Sequence, residues 1–78
     1  MTRVRDEFII KSVGENIRQI RISKSLSQEE VAYEADISVN QIGRIERGEI
    51  NPTISTLYVI SKALSTSLAS LVTVVEQP

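Results

Sequence analysis

Seventy-eight residues leave room for one small domain with a modest core, and the absence of both cysteine and histidine excludes disulfides, thiolate metal sites and imidazole chemistry. The opening "MTRVRDEF" lacks the apolar stretch of a signal peptide, and no apolar run is long enough to span a bilayer; a cytoplasmic protein with no membrane partner, no cofactor and no metal is expected. A net charge of −1 argues against a nucleic-acid partner only until the charges are placed: residues 1–24 hold six basic and three acidic side chains, residues 25–36 four acids and no base, and residues 37–78 three of each.

The periodicity is helical throughout. Val13, Ile17, Ile20 and Lys24 follow the spacing of one helix face, with Ile9 extending it backwards, and predict a first helix over about 7–24. Ser27 followed by Glu30 is a capping box, in which each side chain satisfies the other residue's free backbone N–H, and Leu26 and Val31 are spaced as its hydrophobic staple. A second helix therefore starts near 28. Ser38 and Gln41 repeat the device between Ile37 and Ile42, so a third helix starts near 39, and Gly48 can take the left-handed cap that ends it.

"GEINP" reads as a turn that Pro52 closes; Thr53 can cap a fourth helix with Leu57, Ile60 and Leu64 inside, and Ser67 a short fifth through Leu71 and Val72. The tail "TVVEQP" favours an extended form, with Thr73, Val74 and Val75 β-branched. Only Asp36 to Ser38 separate helices two and three. A connection that short makes them cross steeply, as in a helix-turn-helix, and Asp36 is the residue able to take the positive φ it needs.

Residues 27–48, "SQEEVAYEADISVNQIGRIERG", resemble the helix-turn-helix of the lambda-repressor and Cro-like family, also called the XRE family. Gln28 opens helix two, Ala32 is the small residue where the two helices meet, Ile42 and Ile45 face the core and "IERG" closes helix three. "NPTISTLYVISKAL" and "SLASLV" resemble the family's fourth and fifth helices, so the likeness runs over about 13–72. It implies an all-α, five-helix fold whose helix-turn-helix lies at about 28–47. The chain departs from the family at Asp36, where glycine is usual, and at Ser25 and Ser65, where it is frequent. The family often carries an effector or peptidase domain after the helices; none is expected here, and the size resembles the small controller proteins of restriction–modification systems.

The resemblance divides helix three by face. Ile42, Ile45 and Ser38 should point inward, and Val39, Asn40, Gly43, Arg44 and Arg47 outward into a major groove. Asn40 can pair with adenine, Arg44 with guanine, and Val39 can meet a thymine methyl. Each has a plainer alternative: Asn40 as a solvated helix residue, Val39 as a partly covered surface residue, Arg44 as a phosphate contact. Gly43 either admits the backbone close to DNA or is a tolerated defect. Gln28, at a helix N-terminus, and Ser38, Arg47, Asn51 and Thr53 are candidate phosphate contacts, Gln28 otherwise being an exposed first-turn residue. By analogy with the family, Arg21 should pair with Glu46.

The expected function is sequence-specific regulation of transcription on double-stranded DNA, with RNA polymerase a further candidate partner, at the nucleoid. A homodimer is expected through a segment at about 66–76, where Leu68, Leu71, Val72, Val74 and Val75 exceed what so small a core can bury. The alternative is a small protein-binding module of the antitoxin type. An enzyme fits poorly, since no catalytic constellation or Gly-rich phosphate loop is present, and Glu29, Glu30 and Glu34 read as a solvated face.

Overall fold

The computed structural model describes residues 4–76; residues 1–3 and the last two of the tail read as extended, Gln77 and Pro78, lie outside it. Five helices follow in order: α1 Glu7–Ser23, α2 Gln28–Ala35, α3 Val39–Glu46, α4 Ile54–Ala63 and α5 Leu68–Val72. Each begins at a polar residue with extended backbone whose side chain accepts from the first turn: Asp6, Ser27, Ser38, Thr53 and Ser67. The Ser27–Glu30 box is complete. At Ser38 only half is built: Oγ accepts the Gln41 N–H, and no bond returns from the Gln41 side chain.

The helix ends share one device. After α1, α2, α3 and α4 the chain turns through a residue at positive φ, namely Ser25, Asp36, Gly48 and Ser65. Beyond each, the next N–H reaches back to a carbonyl five residues earlier: Leu26 to Arg21, Ile37 to Ala32, Glu49 to Arg44 and Thr66 to Ser61. This is the Schellman closure, which satisfies carbonyls the helix leaves free. Three of the four positions lack glycine, and each pays a steric cost for its Cβ.

α2 packs on α3 and α4, α1 on α3 and α5, and α4 on α5. One core joins Val13 and Ile17 of α1, Val31, Ala32 and Ala35 of α2, Ile42 and Ile45 of α3, Leu57 and Ile60 of α4, Leu64 at its cap, and Leu71 of α5. Two expectations need correction. On α1 the buried residue of the first turn is Ile10, and Ile9 is 37% exposed. Both stand one turn before Val13, so spacing alone could not separate them. Leu71 is fully buried, the plug with which α5 closes its own core, and is unavailable to a partner.

Two contacts set the positions of α1, α3 and α5. A Cβ on Gly14 would fall against the carbonyl oxygen of Ile45, inside any permissible contact, and 3.0 Å from that of Glu46. Glycine is what lets α1 lie on the backbone of α3. Asn16 Nδ2 donates to the carbonyls of Leu71 and Thr73 at 3.0 and 2.8 Å, holding the end of α5 to α1.

Candidate nucleic-acid interface

α3 is amphipathic in the strict sense. Ile42 and Ile45 are buried, while Val39, Asn40, Arg44 and Arg47 are exposed on the opposite side. Ser38 does not point inward: it is exposed, with its hydroxyl capping the helix. Gly43 is not open to solvent either. The side chains of Arg47 and Gln28 lie over it, and a Cβ there would meet Arg47 Nη1 at 3.0 Å and Gln28 Oε1 at 3.7 Å. Its burial comes from two long side chains on the outer face, which can swing away, rather than from the core.

Glu46 follows Ile45 around the helix and is buried beneath α1. Its Oε2 accepts from Arg21 Nε at 2.7 Å, and its Oε1 from Arg21 Nη2 at 3.1 Å and Gln28 Nε2 at 3.0 Å. Arg21 Nη1 donates to the carbonyl of Leu26 at 2.9 Å, at the turn into α2. The two side chains retain 14% and 2% of their exposure, so this fork-on-carboxylate pair is shielded and its hydrogen bonds hold the guanidinium above its ordinary pKa. It ties α1, the start of α2 and the end of α3 together, and withdraws an acid from the outer face. Gln28, expected at a phosphate, spends one amide proton on Glu46; the other, and its backbone N–H at the first position of α2, have no partner among the described residues.

A second acid lies just past the helix. Glu49 Oε2 accepts from Arg47 Nε at 2.6 Å, and Glu49 Oε1 lies 3.5 Å from Arg44 Nε. The Arg47 hydrogen bond chiefly holds the Glu49 carboxyl below the usual carboxylate range, with Arg44 adding to it, and holds Arg47 above its own ordinary value. Sequence reasoning overlooked Glu49 because helical spacing does not cross a cap. The signal was an acid two residues beyond an outer-face arginine, behind a glycine that reverses the chain.

Of the other candidate phosphate contacts, Asn51 is exposed in the turn before α4. Thr53 caps α4, accepting from the Thr56 N–H at 3.1 Å and donating its hydroxyl proton to Thr56 Oγ1 at 3.0 Å. In the C-terminal segment Val72 and Val75 are 40% and 80% exposed, whereas Leu68 and Val74 are half-buried.

Residues 17–71 match the family model described as helix-turn-helix. The chain belongs to this family. It is a transcriptional regulator of the XRE and Cro-like type with a helix-turn-helix DNA-binding domain, and not an enzyme. An uncharacterized HTH-type transcriptional regulator, y4dJ, of Sinorhizobium fredii is 43% identical over 63 residues, which cover 81% of this chain and 82% of that one. The control protein C.SmaI of Serratia marcescens is 43% identical over 61 residues, covering 78% and 73%. Among solved structures, the restriction-modification controller protein C.AhdI of Aeromonas hydrophila superposes with a TM-score of 0.78 at 27% identity, over 80% of this chain and 94% of that one. The wild-type controller C.Esp1396I gives 0.79 at 33% identity, over 85% and 86%. In this helix-turn-helix protein no helix among the described residues is long and apolar enough to cross a membrane.

Proposed function

We propose that the protein reads a specific double-stranded DNA sequence as a homodimer, through the outer face of α3. The observation that carries this is the sorting of one helix into two sides: Asn40, Val39, Arg44 and Arg47 exposed together, with the neighbouring acid Glu46 turned under α1 and neutralised. Asn40 and Arg44 are the base-reading pair, Val39 the apolar contact, and Gly43 the point of close approach once Arg47 and Gln28 move onto phosphates. Ser38, Asn51 and Thr53 complete the phosphate row. All 78 residues act as one such domain.

A single α3 reaches few base pairs, and two-fold symmetry doubles its contacts. Val72 and Val75, with half-buried Leu68 and Val74, form the dimer surface, extended by Ile9, which lines the same apolar hollow as Val72. The two recognition helices then lie roughly 34 Å apart, and the operator is pseudo-palindromic with half-sites about one helical turn apart. Likeness to two restriction–modification controllers supports a small controller-type regulator; in this reading it works in the cytoplasm, with RNA polymerase as a further partner.

Selection of bound duplexes from a random pool tests the reading. The expected result is a two-fold-related motif whose affinity falls steeply with salt, because phosphate contacts release counterions. No enriched motif, or salt-independent binding, would leave a protein-binding module instead. Sedimentation adds the second half: a dimer is expected at micromolar concentration, and Val72→Asp with Val75→Asp should give a folded monomer near 8.7 kDa. A wild-type monomer would refute the dimer.

A further inference from the structure

Two arginines of the proposed DNA face are not free cations. Glu49 gives one carboxylate oxygen to each: Oε2 to Arg47 Nε at 2.6 Å and Oε1 toward Arg44 Nε at 3.5 Å. Its backbone is fixed on both sides. Its N–H closes the α3 cap on the Arg44 carbonyl at 2.9 Å, and its own carbonyl accepts from Arg5 Nη2 at 3.3 Å, from the segment ahead of α1. The carboxylate is therefore held by the helix end it serves. It is about half exposed, so it contributes little to folding and has no partner in the core.

The geometry has two consequences. Engagement at Nε leaves the terminal Nη groups of each guanidinium, the donors that can fork onto a guanine or a phosphate, unspent on Glu49. One negative charge between two positive ones also halves the net charge that this part of α3 offers to any phosphate, whatever the sequence.

We propose that Glu49 is a specificity-determining residue: it orients Arg44 and Arg47 for the operator and lowers their attraction to unrelated DNA. The inference rests on the proposed DNA-reading role of α3. On the operator, Arg44 recovers through base contacts what the carboxylate withholds from phosphates. On random DNA nothing replaces it. Selectivity thus comes partly from weakening the wrong complex.

The test compares the duplex recovered by selection with a random duplex of equal length, bound by the full chain. Glu49→Gln should raise affinity for the random duplex by about two- to fivefold, the scale of exposed ion pairs, and steepen its salt dependence. Affinity for the selected duplex should rise less or fall, so the ratio of the two drops. Glu49→Asp, which keeps the charge but shortens the reach, should also lower the ratio, with little gain on random DNA. In an Arg44→Ala background, Glu49→Gln should change the ratio much less. Equal gains on both duplexes would mean plain repulsion of DNA by a surface acid and would overturn the proposal. If instead Arg44→Ala and Arg47→Ala changed binding to neither duplex, the DNA-reading role of α3 would itself fail, a result separable from an unchanged ratio in a chain whose arginines do matter.

Discussion

Two carboxylates within four residues of sequence, Glu46 at the end of α3 and Glu49 just past it, are each paired with arginine, and the two clusters differ in nearly everything except chemistry. Glu46 is 6% exposed, accepts three hydrogen bonds and locks α1 to α3. Glu49 is exposed, engages two arginines by their Nε atoms and has no ion-pair or hydrogen-bond partner in the core. The first pair has paid the desolvation of both charges on folding, so neither partner can leave without stranding the other. The second competes with water and salt throughout, so its strength follows the ionic strength. Burial therefore separates an ion pair that builds the fold from one that can tune binding.

The contrast breaks most visibly at Glu46. Glu46→Ala leaves the Arg21 guanidinium shielded without its acceptor, and should cost about 3 kcal/mol in urea unfolding, the lower end for a buried pair because Arg21 keeps some solvent. Glu49→Gln should leave the thermal midpoint where it is. Comparable losses from both would erase the distinction.

The next effect belongs to the contact beneath the buried cluster. Gly14→Ala drives a methyl group into the Ile45 carbonyl, where backbone cannot yield, and should cost about 1–3 kcal/mol as α1 and α3 separate. DNA affinity should fall with stability, since Arg21, Glu46 and the pose of α3 all depend on that approach. A neutral Gly14→Ala would mean that α3 is not seated as described.

Smaller effects come from the caps. Ser27 holds the Glu30 carboxyl below the usual carboxylate range through its backbone N–H and hydroxyl. A depressed folded pKa gives stability that is present above the unfolded pKa and lost as pH falls through the folded one. Glu30→Gln should therefore flatten the acid limb of the stability profile by lowering stability at neutral pH, and leave the acid end nearly unchanged. Ser65→Gly, at φ 52°, should stabilise by up to about 1 kcal/mol, because the Cβ strain removed exceeds the entropy lost by glycine. A loss there would show that the Ser65 side chain does more than occupy the turn.

What could be read in the sequence was what is local. All four serine and threonine caps, the left-handed Asp36 and the Gly48 stop are decided within a few residues, and each stands at the expected position. Packing was harder. Ile9 and Ile10 are equally well spaced before Val13, and only the seat of α1 against its neighbours chooses between them. Leu71 looks surplus because a segment rich in valine and leucine is too apolar for a small core, yet α5 aims it into that core while Leu68 packs only at the edge. Gly43 was assigned outward by helical geometry, and its backbone does face that way; what covers it is reach from Arg47 and Gln28, which no periodicity records. Arg21 and Glu46 are 25 residues apart, and nothing short of a family resemblance would join them. Gly14 left no signal at all, since a glycine inside a helix pattern looks the same whether it is tolerated or required.

The most direct test of the DNA-reading face is the loss caused by Arg44→Ala on two duplexes measured at one salt concentration. If Arg44 reads a base, affinity for the selected duplex should fall by the equivalent of ~1–3 kcal/mol, while affinity for a random duplex falls far less. An equal fall on both would make Arg44 a phosphate contact, and would contradict the account of α3 as the element that reads sequence.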